Sequence, residues 1–266
     1  MPFRVTLDNS GACTLKLGAI YPRGWVLDNT GASSLRVNGG GTALEGLQSF
    51  WPTADASAVD LDDYSGNGLT LTNNNIVTRD AGPSANLPDA SVYASASSQS
   101  LSVADDPAFT PGASGFSVAI WARITTKSGL RTFIAQRGTN QNAFELAHNN
   151  TGDRIRFALW NAAQSAQVLN ADTLGSPDLL TWFHNVGTWD GVTMRIYING
   201  ALDSSAARTA AIHDSTADLQ LGAGAGANFH NGRLTHAAIW PTRALSAAEV
   251  AWLYNGGNGR DLRRGV

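Results

Sequence analysis

Residues 181–202 read TWFHNVGTWDGVTMRIYINGAL. In TMRIYING (193–200), Met194, Ile196 and Ile198 fall on one side of an extended chain and Arg195, Tyr197 and Asn199 on the other, because strand side chains alternate. FHNVGTWDG (183–191) precedes this run, and its Trp-Asp-Gly separates the two as a turn. Asn199-Gly200 supplies the next turn, since Asn and Gly tolerate positive φ. The stretch is therefore a pair of short strands, the second with one apolar face.

The same pattern extends outward from this pair. FSVAIWARI (116–124), RTFIAQRG (131–138), FELAHNN (144–150), DRIRFALWN (153–161) and LQLGAG (219–224) are further short strands divided by turn residues. Regular short strands without intervening helices indicate a β-sandwich or jelly roll. One helical signal stands near the end, ALSAAEVAWLY (244–254), where Ser246 and Glu249 have capping-box spacing. Leu245, Val250, Leu253 and Tyr254 supply its apolar side, and Asn255-Gly256-Gly257 stops it.

Composition agrees with an all-β chain. Among 266 residues there are 28 glycines, sixteen arginines against two lysines, and three glutamates, Glu45, Glu145 and Glu249. Lys and Glu fill exposed helix faces, so their scarcity argues against helices; genome composition is a second source of the Arg bias. A net charge of −3 gives no nucleic-acid footprint. The single cysteine, Cys13, excludes a disulfide framework and a multi-cysteine zinc site. MPFRVTLDNSGACTLKLG (1–18) lacks the apolar core of a secretory signal, and no apolar run approaches the ~20 residues that span a bilayer. The expectation is a soluble chain that folds in a cytosol, with no membrane insertion.

An internal repeat marks the N-terminus. LDNSGACTLKL (7–17) returns as LDNTGASSLRV (27–37). Each copy reads as a small β-hairpin around an Asn-(Ser/Thr)-Gly turn, too small to be stable alone. Gly39-Gly40-Gly41 then reads as a linker. The expected organisation is an arm over residues 1–42, a main domain over 43–258 and a polar basic tail over 259–266.

Four landmarks in order carry a family resemblance. DDYSGNGLTL (62–71), GFSVAIWARI (115–124), residues 181–202 and HNGRLTHAAIWPTRALSAAEVAWLY (230–254) resemble the loop, strand, hairpin and closing strand-helix of laminin-G-like jelly rolls of the concanavalin A-like class. The resemblance covers roughly residues 48–255. It implies a two-sheet jelly-roll sandwich with an N-terminal β-hairpin arm and one short C-terminal helix. It leaves function open, because lectins, glycosidases, adhesion modules and passive spacers share such a fold.

The resemblance also implies a calcium site. It would use Asp63 and carbonyls around Asn67, completed by an acid of the closing strand where this chain has Thr235. Losing that carboxylate weakens calcium, and Asp60 and Asp62 are the residues able to compensate. An EF-hand does not fit, because Gly66 at its sixth position puts Leu61 at the first. The remaining reading is structural, with Asp63 and Ser65 folding the loop through Asx-type turns. No cofactor is required, and calcium stays an open option.

Catalysis finds little support. Glycosidases need two carboxylates about 5–9 Å apart, and the three glutamates lie far apart in sequence. Asp62-Asp63 and Asp105-Asp106 are adjacent pairs, whose side chains point opposite ways in a strand. The five histidines form no His-x-x-x-His pair, no Gly-x-Ser-x-Gly elbow occurs, and His184 reads as a core residue. Binding is better served. Arg156 and Trp160 share the polar side of 153–161, as Arg195 and Tyr197 do in 193–199. Were these strands in one sheet, the four would form an exposed polar-aromatic face. That face suits sugar rings or a contact with another subunit or the hairpins. Phe229 and His230, in the glycine-rich GAGAGANFHNG (222–232), form a second candidate near a rim.

Bacterial relatives of such jelly rolls are usually exported, and a virion protein reconciles that with the missing signal. The expectation is a non-enzymatic phage surface protein, a capsid decoration or tail component assembled in the host cytoplasm. Residues 1–42 would dock onto other virion proteins or sister subunits in a homo-oligomer, and the head would bind a cell-surface glycan. The alternative is a carbohydrate-binding module of a bacterial cell-surface system, extracellular or surface-held; a glycosidase comes third.

Overall fold

The computed structural model describes residues 26–28, 36–38, 43–149, 151–171 and 178–264. The chain divides into two compact units, residues 1–39 and 40–266. In the first, β1 (Val26–Asp28) and β2 (Arg36–Asn38) pair antiparallel with Leu27 opposite Val37. They flank the second copy of the repeat; the first copy lies outside the described residues.

The second unit continues with β3 (Ser49–Trp51), β4 (Thr72–Asn74), β5 (Thr78–Ala81), β6 (Asp89–Tyr93), β7 (Ser100–Val103) and β8 (Phe116–Ile124). Next come β9 (Arg131–Gly138), β10 (Gln141–Asn149), β11 (Arg154–Trp160) and β12 (Ala166–Asn170). The last are β13 (Trp182–Trp189), β14 (Thr193–Ile198), β15 (Ala201–Ala207), β16 (Leu219–Leu221), β17 (Gly232–Trp240) and α1 (Ala247–Tyr254). A seven-stranded sheet runs β12-β11-β10-β9-β16-β7-β4. An eight-stranded sheet runs β15-β14-β13-β8-β17-β6-β5, with β3 also on β17. The expected all-β, two-sheet jelly roll with one short helix is the observed fold.

Register explains the core. Leu169, Phe157, Leu146, Ile134, Leu221 and Leu101 are successive partners across the seven-stranded sheet. All six belong to the main core cluster. From the opposite sheet the partner row Ile196, Gly187, Val118 and Ile239 faces it. At Gly187 the two sheets approach closely. A Cβ there would lie 2.6 Å from Phe157 Cδ2, so only hydrogen fits beneath that ring.

The outer face of the eight-stranded sheet is also apolar. Tyr197, Val186, Ala119, Ala238 and Phe50 form one partner row across β14, β13, β8, β17 and β3. They join Trp240, Leu245, Val250 and Leu253 in a second cluster beneath α1. The helix starts as its sequence signal requires. Ser246 Oγ accepts from Glu249 N–H at 3.3 Å, and Ser246 N–H donates to Glu249 Oε2 at 2.8 Å. Leu262, from the stretch expected as a polar tail, is buried in the same cluster.

Gly187→Ala is expected to cost about 1–3 kcal/mol through overpacking. A domain this size loses roughly 2–4 °C in Tm for each kcal/mol. Calorimetry of the variant checks it, and an unchanged Tm would mean that Phe157 does not press on Gly187.

Candidate functional site

The topology separates the four residues expected on one face. Arg156 and Trp160 lie on β11 in the seven-stranded sheet, whereas Arg195 and Tyr197 lie on β14 in the eight-stranded one. The chain changes sheets between β12 and β13, so the shared platform does not form. Tyr197 is buried in the cluster under α1. Arg195 pairs with Asp190 at 2.6 Å, and Asp190 also accepts from the N–H groups of Val192 and Thr193 in the hairpin turn.

The second expected pair divides as well. Phe229 is half-buried, and its carbonyl accepts from Arg131 Nη1 at 2.8 Å. His230 is wholly buried rather than at a rim, edge-on to Tyr93 and Phe133 at ring distances of 6.0 and 5.4 Å. Its placement is a core role.

The loop at 60–69 is held by its own acids. Asp63 Oδ1 accepts from the N–H groups of Phe50 (3.0 Å) and Ser65 (2.9 Å). Its Oδ2 accepts from Ser65 Oγ (2.8 Å) and Leu69 N–H (3.3 Å). Four donors occupy the four lone-pair directions of a carboxylate. Asp60 accepts from Asp62 N–H and Tyr64 O–H and lies 3.6 Å from Arg263. Asp62 is exposed, and Asn67 Nδ2 donates to the Gln48 carbonyl at 2.7 Å. Thr235 Oγ1 is within 2.7 Å of the Pro52 carbonyl and 2.9 Å of the Asp89 carbonyl, inside the sheet. This donor set does not fit calcium, and among the described residues no three His, Cys, Asp or Glu side chains converge on a metal position.

A polar strip remains on the outer face of the seven-stranded sheet. One partner row there runs Val168, Ala158, Glu145, Ala135, Gln220, Ser102 and Thr72, and the row beside it includes Asn170, Arg156 and Ala147. Glu145 is the centre. Its Oε1 accepts from Thr132 Oγ1 and from Arg137 Nη1, each at 2.8 Å, and its Oε2 accepts from Arg156 Nη2. Glu145 is 0% exposed, and Arg137 and Arg156 are 19% and 16% exposed. The Arg137 guanidinium lies 4.9 Å over the Trp160 ring. Trp160 thus supports an arginine instead of offering a bare stacking face. Arg137 Nε donates to Asn142 Oδ1, and Asn142 donates to Gln164 Oε1. The glycine-rich 222–232 loop adjoins Glu145: a Cβ on Gly224 would lie 3.0 Å from Glu145 Oε1 and 3.2 Å from Thr132 Oγ1.

Three polar atoms along this strip are buried without partners: Arg156 Nε, Gln164 Nε2 and Asn170 Oδ1. Each such atom costs about 1–3 kcal/mol, and a bridging water, an ion or a functional role is a common reason for one to persist. From Arg156 to Trp160 the strip is about 14 Å long at ~3.4 Å per residue, the length of a short oligosaccharide. Glu145 is enclosed by two cations and a hydroxyl, unlike the paired carboxylates of glycoside hydrolysis. Sequence reading found Arg156 and Trp160 but missed Glu145 and Arg137. The available signal was an acid inside the apolar run FELAH, which marks a buried charge needing cations.

Burial pushes the pKa of His184 and of His230 down to about 3. Both are then neutral in the folded chain, while the unfolded chain titrates near 6.5. The unfolded state takes up protons first as pH falls, so stability is full above pH ~6.5 and declines toward pH ~3. The expected decline is about 1.4 kcal/mol per histidine per pH unit. Urea unfolding at pH 7, 6 and 5 tests this; His184→Asn should flatten the slope, and a pH-independent midpoint would contradict neutral burial.

No curated protein matches the sequence. The binding domain of Paraclostridial Mosquitocidal Protein 1 superposes with a TM-score of 0.65 at 18% identity, over 80% of this chain and 53% of that one. The botulinum neurotoxin serotype G binding domain gives 0.62 at 17%, over 78% and 50%. This chain therefore spans about half the length of either toxin domain. Domain 4 of AbnA, an extracellular GH43 arabinanase from Geobacillus stearothermophilus in complex with arabinotriose, gives 0.59 at 17%, over 77% and 96%. At these identities the likeness is one of fold. The sequence itself matches Laminin_G_3 over residues 95–251, more than half its length, and the chain belongs to that family of the concanavalin A-like lectin/glucanase superfamily.

Proposed function

We propose that the jelly roll is a non-enzymatic glycan-binding head and that the outer strip of its seven-stranded sheet is the binding face. The unpartnered Arg156 Nε, Gln164 Nε2 and Asn170 Oδ1, set around a buried Arg-Glu-Arg group, carry this reading. Sugars present closely spaced hydroxyls that both donate and accept, which matches two vacant donors and one vacant acceptor. The similarly folded AbnA domain, in complex with arabinotriose, supports the ligand class. A glycan array probed with the full-length chain is expected to give selective binding. Trp160→Ala should weaken it at least tenfold by releasing Arg137. A blank array, or binding indifferent to Trp160, would remove the reading.

The head belongs, on this proposal, to a phage virion surface protein whose residues 1–42 dock it to sister subunits or other virion proteins. The duplicated hairpin sequence supports a docking arm able to add strands to a neighbour. A carbohydrate-binding module of a bacterial cell-surface system is the second reading, favoured by the AbnA likeness. Light scattering on the full chain and on a chain lacking residues 1–42 separates them. An oligomer lost with the arm supports self-docking, and a monomer in both shifts weight to the module. Mass and Tm are expected to be equal in calcium and in chelator, because Asp63 is saturated by donors of the chain.

A further inference from the structure

The strip carries a charge imbalance. Arg137 and Arg156 both pair with Glu145, so two guanidinium groups share one carboxylate. The carboxylate is fully buried and the two arginine side chains are partly so, where water screens charge less than at an open surface. Glu145 neutralises one of the two, and the group retains a net positive charge. Arg156 also keeps an Nε–H without an acceptor, beside Asn170 on the neighbouring strand. A guanidinium with an unused N–H can donate a charge-assisted hydrogen bond to a second carboxylate. Ala147 and Ala158 are fully buried, so the approach to Arg156 is from the β12 side, where Val168, across from Ala158, is 41% exposed.

We propose that this face selects acidic glycans, sugars bearing a ring carboxylate, over neutral ones, an inference that rests on the glycan-binding reading above. The ligand carboxylate would take the role of a second anion to the Arg137–Glu145–Arg156 group, with Arg156 as its principal contact. Ring hydroxyls would complete Gln164 and Asn170. Glu145 sets the strength of the preference, because it competes with the ligand for the same cations. Hexuronate oligomers and sialosides present the same carboxylate chemistry.

Calorimetric titration of the full-length chain tests the proposal. The probes are an oligogalacturonate, its carboxyl-reduced neutral counterpart, and a sialyl-oligosaccharide with its desialylated partner. At least one acidic probe is expected to bind tenfold or more tighter than its neutral counterpart, with the advantage shrinking as salt rises from 0.05 to 0.5 M. Arg156→Gln should abolish the advantage, Arg156→Lys should recover part of it, and Glu145→Gln should enlarge it. Should Glu145→Gln fail to fold, the wild-type pairs and their salt dependence still decide. Equal affinity for acidic and neutral probes would overturn the acidic preference and leave the glycan reading standing. An acidic preference unaffected by Arg156→Gln would overturn this site, and no binding to any probe together with a blank array would end both.

Discussion

Strand side chains alternate, and two sheets can enclose one core only where each turns an apolar row inward. In the seven-stranded sheet that row is Leu169, Phe157, Leu146, Ile134, Leu221 and Leu101. Once it points inward, Val168, Ala158, Glu145, Ala135, Gln220, Ser102 and Thr72 must point out, because a one-residue slip would reverse both rows. The eight-stranded sheet obeys the same rule with a different outcome. Its outward row, Tyr197, Val186, Ala119, Ala238 and Phe50, is apolar and demands a cover, which α1 and Leu262 provide. One outer face is thereby closed by packing, and the other is left small and polar.

Burying Glu145 on this outer face is expensive unless it is fully paired. Thr132, Arg137 and Arg156 supply the pairing, and Trp160 holds Arg137 from the far side. Apolar residues at these positions would stabilise the sheet at least as well in many proteins. A charged group kept at such cost, with three neighbouring polar atoms unfilled, is what the proposed glycan-binding face accounts for. The glycine at 224 belongs to the same economy, since a side chain there would press on Glu145 and Thr132.

Much of the fold was legible in local sequence. Alternation located β8 to β11, β13 and β14, and Ser246 with Glu249 placed the start of α1 to within its cap. The site was less legible, because alternation reports which side a residue faces and not which sheet its strand joins. Arg195 and Tyr197 have the same pattern as Arg156 and Trp160, yet β14 lies across the core from β11. Tyr197 looked exposed because polar neighbours accompany it, but a helix distant in sequence covers it. His230 follows a glycine-rich loop and still enters the core, where burial, invisible locally, keeps it neutral. Arg137 and Glu145 come from neighbouring strands, and only register brings them together.

On the proposed reading, ligand meets the outer face of the seven-stranded sheet and not the helix-covered face. Indole and guanidinium N–H resonances report on both, since Trp160 and Arg156 lie on one, and Trp252 with Arg260 stacked 4.3 Å over its ring lies on the other. Titrating an acidic oligosaccharide into isotopically labelled full-length protein is the most direct test. Saturable shifts of Trp160 Nε1–H and Arg156 Nε–H are expected, with Trp252 and Arg260 unmoved. Shifts confined to Trp252 and Arg260 would contradict the reading.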